Sequence, residues 1–389
     1  MHKDLYPDLD MRGDFYACRF EKGKQDDTII LNLGPQHPST HGVLRILVEL
    51  DGEYVLRAEP ILGYLHRMHE KMAEVKSPVQ YMNNMGRVDY LNAMAWNWAF
   101  AGAAERLMGI EVSERCEYLR VITAELSRIA SHLVGWGAWL LDMGAFTPIL
   151  YAFDDREYIL DILQEVSGSR LTYAYFRVGG VCADGNERFF KLIREFIPYF
   201  RKRIEMYHQL VTGNLILRKR IEGIGIIDRG MCNRYGATGP VARGAGINHD
   251  TRKAEPYSVY HKFDYKTPVY TEACSMARYR VRLDELVESC DIIEQAILSI
   301  PQGDVLPPKN IKFSTKLPAG EAYYAVEGAR GKVGVWLASD GGKYPYRVKL
   351  RAPGFSNLSC FAEASRGMLL ADAIAVLGSL DLVIPEVDR

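Results

Sequence analysis

Two histidines, His37 and His41, stand four residues apart in the run GPQHPSTHG at positions 34–42, in a chain with nine histidines among 389 residues. Imidazole titrates near neutral pH and can donate, accept or bind a metal, so such a pair marks a place where chemistry can be done. Pro38, directly after His37, opposes a helix there. Strand-like residues at 28–33 and 43–50 predict a β-hairpin whose long loop carries both rings at its tip. Two bracing strands would deliver a titratable ring into a pocket with little freedom left to lose. A zinc site at His37 and His41 would lack a third ligand nearby. A second candidate is Asp142, which sits among apolar residues where a carboxylate needs a partner.

The cysteines exclude more than they offer. The closest pair, Cys274 and Cys290, is sixteen positions apart, and none of the seven belongs to a Cys-x-x-Cys. Iron–sulfur clusters and structural zinc draw on closely spaced thiolates, so this chain is expected to ligate neither and to keep its thiols reduced and buried. No phosphate-binding loop pattern occurs, and the glycines near position 223 lack dinucleotide-fold spacing. A net charge of −1 gives no basic face for nucleic acid. The start, MHKDLYPDLD, carries no apolar signal stretch, so export is not expected. No apolar run reaches the ~18 residues of a membrane span. The nearest, 133–151, is broken by three glycines, Asp142 and Pro148 and reads as buried core.

The elements that must position these residues follow from periodicity. Residues 1–27 are polar and read as a docking arm, and 28–62 as an N-terminal β domain with the His37/His41 loop. Residues 63–300 read as a helical bundle, and 301–389 as a C-terminal β segment with a helix. Within the bundle, 91–108 is apolar on most sides, as a buried helix is. The stretch 116–133 carries a helix-period stripe at Leu119, Ile122, Leu126, Ile129 and Leu133. Asp154 and Asp155 are expected to open a further helix that Gly168 ends. Residues 189–217 and 283–300 continue the helical theme. The glycine- and charge-rich 223–267 is expected to be loops laid over the bundle. Strands at 321–327, 334–338 and 346–350, with a turn at Ser339-Asp-Gly-Gly between the last two, precede a helix at 368–380. The fold class expected is α+β, a central helical bundle with N-terminal and C-terminal β layers.

The same segments carry motifs in a fixed order. These are GPQHPSTHGVLR from Gly34, GYLHR followed by EK at 63–71, RVDYL at 87–91, and ELSRI with His132. LDMGAFTP at 141–148, FRVGGV at 176–181 and GSLDLVIPEVDR at 378–389 complete the set. From about Thr28 onward the chain closely resembles the family of the D, or 49-kDa, subunit of NADH–quinone oxidoreductase (respiratory complex I). That family is related to the large subunit of nickel–iron hydrogenases, which implies a hydrogenase large-subunit-like fold. Asp89 and Asn92 stand where the first hydrogenase Cys-x-x-Cys would be, and the second such motif is missing. Soft thiolates are needed to hold that metal, so the cavity is free for the head of a quinone.

The resemblance implies a quinone-binding subunit, active only in the assembled translocase. His41 would contact one quinone carbonyl and Tyr90 the other, with His37 on the same loop. Asp142 would hydrogen-bond the His41 ring and favour its protonated form. Quinone is then a substrate and no cofactor is ligated by this chain. Electrons would come from a [4Fe–4S] cluster in the neighbouring B subunit, faced by Arg67 and His66. Partners would be the B, C, I and H subunits, with contact through H to the cytoplasmic face of the cell inner membrane. Relatives take electrons from NADH, ferredoxin or a deazaflavin. The alternatives are a non-catalytic scaffold of a related membrane oxidoreductase and a metal-binding hydrogenase subunit, the latter opposed by the missing thiolates. Two departures stand out. Met68 and His69 follow Arg67 where the family usually has glycine first. Thr172 replaces a histidine credited with making the cluster's potential pH-dependent, so little pH dependence is expected. Ala138 also replaces a frequent threonine near Asp142.

Overall fold

The computed structural model describes residues 18–22, 28–36, 42–312 and 314–389. His37 and His41 therefore lie outside the described residues, as does most of the segment read as an arm. Strands β1 (Cys18–Lys22), β2 (Ile29–Leu33), β3 (Arg45–Asp51) and β4 (Tyr54–Ile61) form one antiparallel sheet in sequence order. Pairing of Leu33 with Ile46 and of Ile29 with Leu50 gives the expected hairpin around the histidine loop. Gly34 starts that loop at a φ of +79°, and a Cβ there would collide with the Leu44 carbonyl, so only glycine fits. β1 falls inside the segment read as a docking arm.

Five long helices follow: α1 (Ala93–Met108), α2 (Glu114–Asp142), α3 (Phe146–Ser167), α4 (Glu187–Tyr207) and α5 (Ser275–Ser299). The Ser113 hydroxyl caps α2 by accepting from the Cys116 amide. α1 is buried all round, with Trp96, Trp98 and Phe100 at most 1% exposed, which explains its lack of a polar face. α3 begins earlier than the sequence suggests. Pro148 sits in its first turn, where the missing N–H is not needed, so Asp154 and Asp155 are mid-helix residues. Asp155 is fully buried and accepts from Arg203 Nε at 2.8 Å and from the Tyr199 hydroxyl at 2.8 Å. The expected helix over 189–217 breaks after α4 into a π-turn at His208–Thr212, then resumes at Leu215–Ile221 under an Asn214 cap.

The segment 223–267 departs from expectation in a telling way. It forms short helices at Arg229–Tyr235, Pro240–Gly244 and Thr251–Ala254, and its charged residues Arg243, Asp250 and Arg252 are buried, not laid on the surface. Strands β7 (Ala319–Gly328), β8 (Gly331–Asp340) and β9 (Arg347–Arg351), numbered after the two-residue β5 (Phe176–Arg177) and β6 (Gly180–Val181), form the second sheet close to its predicted bounds. A helix, Leu370–Ser379, and a last turn, Ile384–Asp388, follow. The first apolar cluster joins the long helices to β7–β9, and the second joins the N-terminal sheet to residues 358–387. The fold is thus mixed helix and sheet.

Candidate functional site

The loop after the Pro78–Met85 helix carries RVDYL, and its local chemistry is fully specified. Asp89 folds back on its own chain, its Oδ1 accepting from the Leu91 and Asn92 amides at 3.0 and 3.1 Å. Its Oδ2 accepts from Arg330 Nη1 at 2.6 Å. Asn92 accepts from the Ser127 hydroxyl at 3.2 Å. Asp89 and Asn92 are therefore occupied by hydrogen bonds within the fold, a donor set that suits no soft metal. Among the described residues no three His, Cys, Asp or Glu side chains converge as metal ligands. Six cysteines are described as free, all buried except the half-buried Cys182.

Tyr90 turns the other way and is 38% exposed. Partial burial raises the pKa of its phenol, with Asp89 and Asp381 adding to the rise and Arg330 opposing it. A neutral phenol of this kind is a fixed hydrogen-bond donor at physiological pH. Behind it lies a cluster that the sequence did not single out. Arg330, in the turn between β7 and β8, also faces Asp381 Oδ1 at 3.6 Å and Glu386 Oε2 at 4.0 Å. Its Nη2 donates to the Ser131 hydroxyl at 3.3 Å, and its carbonyl accepts from Asn357 Nδ2 at 3.1 Å. The available signal was charge inside apolar surroundings: EGARG at 327–331 and SLDLVIPEVDR at the chain's end.

Asp142 ends α2 and is half-buried. Close by, an apolar groove of about 510 Å³ is lined by Met143, Phe146, Pro148, Leu210 and Ile216 among others. The pairing of Asp142 with His41 reaches outside the described residues.

Arg67 and His66 are both exposed on the loop after β4. Arg67 Nη2 donates to the Arg87 carbonyl at 2.5 Å, tying this loop to RVDYL. The His66 ring meets the Asp388 carbonyl at 2.8 Å, and the Asp388 carboxylate accepts from the Gly63 and Leu65 amides at 2.9 and 2.7 Å. The loop is thus clamped from the far end of the chain. Met68 occupies a left-handed conformation, φ 54°, which explains why glycine suits this position. His69 is buried, with neither ring nitrogen hydrogen-bonded. Burial, and then the charges of Arg67, His66 and Arg87, push its pKa down to about 4. Thr172 has φ 51°, and its carbonyl carbon and the Tyr173 carbonyl oxygen lie against Gly86, directly before RVDYL.

A deeper layer separates the helices from the second sheet. Glu125 accepts from Arg128 Nε, Arg252 Nη1, the Tyr260 hydroxyl and the Ser289 hydroxyl at 2.7–3.0 Å. Arg243 bridges Glu285 at 2.6 Å and Glu327 at 2.8 Å. Glu285 also meets His132 Nε2 at 2.8 Å. Thus ELSRI and His132 supply scaffold polar groups, not surface ones.

The family model described as "Respiratory-chain NADH dehydrogenase, 49 Kd subunit" matches residues 142–315 and 308–389. The D 2 subunit of the NADH-quinone oxidoreductase of Opitutus terrae is 57% identical over 363 residues, covering 93% of this chain and 91% of the relative. The D subunit of the same enzyme from Desulfotalea psychrophila is 55% identical over 364 residues, 94% of this chain and 98% of its own length. That of Geobacillus kaustophilus is 46% identical over 362 residues, 93% and 98%.

Proposed function

This chain belongs to the 49-kDa subunit family of the respiratory-chain NADH dehydrogenase, a component of an oxidoreductase complex, and from that premise we propose that it seats and protonates the quinone. The observation that carries the reading is the arrangement at 87–92. Tyr90 is presented outward, while the neighbouring Asp89 and Asn92, standing at the hydrogenase thiolate positions, are consumed by hydrogen bonds within the fold. Quinone reduction adds two electrons and two protons at carbonyl oxygens. Tyr90 donates to one oxygen and His41 to the other. Asp142 fixes the His41 ring and holds its proton until charge develops on the quinone. His37, four residues before His41 in the sequence, belongs to the same proposed quinone-binding set.

Electrons enter from a [4Fe–4S] cluster of the neighbouring B subunit. Such a cluster would supply one-electron transfer, and this chain would face it with the Arg67 guanidinium and the His66 ring. Both are exposed and anchored, Arg67 to the Arg87 carbonyl and His66 to the Asp388 carbonyl, and the Arg67 charge would stabilise added negative charge. The C and I subunits complete the peripheral assembly, and the H subunit links it to the cytoplasmic face of the inner membrane. No helix among the described residues is long and apolar enough to cross a membrane.

The test is kinetic, in the assembled complex. Tyr90→Phe removes one hydrogen bond and is expected to raise the quinone KM up to about tenfold. His41→Ala is expected to lower kcat by at least about a hundredfold, the range of lost acid catalysis. Unchanged rate and affinity in both would leave the scaffold reading standing. With Thr172 in place of histidine, the cluster potential should vary little with pH; a redox titration with a slope near one proton per electron would reverse that assignment.

A further inference from the structure

The groove beside Asp142 offers few hydrogen bonds, and this defines what fits it. Its walls are the turn that follows α2 and the segment that follows α4. On the first wall Gly144, at φ +88°, and Ala145 donate their amides to the Leu141 and Leu140 carbonyls, both at 2.9 Å, so the backbone there is satisfied within the turn. On the second wall α4 runs into the π-turn His208–Thr212, where the Gly213 amide donates to the His208 carbonyl, five residues back, at 3.3 Å. That widened turn carries Leu210 and Val211 on the groove lining, and such turns recur at functional sites. Asn214 spends its side-chain oxygen on the Ile216 and Leu217 amides at 2.9 and 3.2 Å. Arg220 donates to the Ala371 carbonyl at 3.4 Å and lies 3.7 Å from Asp372. Apart from Thr147, the rest of the lining is apolar. Leu140, Val211 and Leu217 form a buried floor, while Phe146, Leu210 and Ile216 stand at the rim, 69%, 42% and 76% exposed. Single exposed apolar side chains are ordinary; several around one hollow mark a binding surface.

We propose that this groove seats the apolar side chain of the quinone whose ring is held at Tyr90 and His41. The proposal deepens, and rests on, the reading of quinone as the substrate. A volume of about 510 Å³ falls inside the range of small-molecule sites. A sugar, nucleotide or phosphate seated here would leave its polar groups without partners. A chain of isoprene units has none to lose, and its burial is driven by the apolar area it removes from water. The hollow shape suits a slender chain better than a bilayer surface. The groove also starts beside the proposed head site: Met143, on its lining, follows Asp142, the partner assigned to His41. Binding here is non-covalent and adds no step to the reaction. Phe146, Leu210 and Ile216 grip the chain and make affinity depend on its length.

The experiment uses the assembled complex and ring-matched quinones, one without a side chain and one with a decyl chain, in the benzoquinone and naphthoquinone series. Leu210→Asp sets a charge in the groove and should raise KM for the decyl quinone about tenfold, the worth of one buried apolar side chain. KM for the tailless quinone and both kcat values should stay within about twofold. Ile216→Asp, at the rim, should act in the same direction but less, and Leu210→Met should stay near wild type. Equal rises for both quinones, or none for either, overturn the proposal. Because an aspartate here can also loosen a subunit, a second measurement uses the wild-type complex. A decyl quinone with a terminal diazirine should label residues 140–148 or 208–217, and an excess of plain decyl quinone should suppress the label. Labelling confined to other segments overturns the proposal whether or not the variants assemble. Subunit loss from Leu210→Asp with no label in the groove makes it a protein contact instead. If Tyr90→Phe and His41→Ala leave kinetics unchanged while the label falls here, the head assignment fails and the groove stands as a site for the chain. If both variants impair kinetics while the label falls elsewhere, only the present inference falls.

Discussion

Of the buried ionic clusters among the described residues, two are finished to different degrees. In the layer built on Glu125, Asp250, Glu285 and Glu327, every carboxylate oxygen has a partner among Arg128, Arg243, Arg252, His132 and nearby hydroxyls and amides. In the cluster behind Tyr90, Glu386 Oε2 and Arg330 Nε face each other at 4.0 Å and neither is hydrogen-bonded. Satisfied carboxylates rigidify a network and specify one packing, even though His132 Nδ1 in this layer has no hydrogen-bond partner; a carboxylate left unpaired is costly to bury. The difference lies in how completely each buried charge is paired.

The sharpest way to break that comparison is to remove a partner from the finished layer. Arg243→Met strips Glu285, Glu327 and the His249 carbonyl of their shared donor, and should destabilise by about 3–5 kcal/mol. Thermal unfolding and subunit retention in the assembled complex measure this, and a loss below ~1 kcal/mol would remove the layer's scaffold role. Next comes the sign of the pH response. Glu386, raised from an ordinary 4.5 to about 8, contributes stability present below pH 4.5 and lost as pH rises through 8. Glu285, lowered to about 2 by Arg243 and His132 against its burial, contributes stability present above 4.5 and lost as pH falls through 2. Glu386→Gln should therefore flatten the decline of melting temperature between pH 5 and 8, an effect of a few kcal/mol at most. Glu285→Gln should be most damaging at neutral pH. Parallel curves for the two variants would erase the distinction.

Smaller effects test the loop that faces Arg87. His69→Leu replaces a buried ring with two unpaired nitrogens and should stabilise by ~1 kcal/mol. His69, depressed from 6.5 to about 4, contributes stability present above pH 6.5 and lost as pH falls through 4, so the variant should resist acid better. Met68→Gly, relieving the left-handed strain at φ 54°, should add ~0.5–1 kcal/mol in denaturant titrations. A destabilised glycine variant would mean that the Met68 side chain makes up for its backbone.

Much of the architecture was legible because strands announce themselves locally. β-branched residues with a Ser-Asp-Gly-Gly turn placed β8 and β9, and the strands flanking GPQHPSTHG placed β2 and β3. The start of α3 was missed because Pro148 reads as a breaker, although it is harmless in a first turn. The buried segment 223–267 was missed for a deeper reason. Glycine and charge look like exposed loop in one dimension, and only the distant partners Glu125, Glu285 and Glu327 make burial of Arg243 and Arg252 tolerable. Arg330 and Glu386 escaped notice for the same reason, whereas Asp142 and the histidine loop stood out by composition alone.

The grip of Asp388 on the Gly63 amide spans 325 positions. At a synthesis rate of about 5–20 residues per second, that separation amounts to roughly 15–65 s on the ribosome. Throughout this interval the apolar face of the first sheet lacks residues 358–387, against which it packs. A partner that grips residues 63–66 in the geometry set by this contact can do so only after residue 388 has been made.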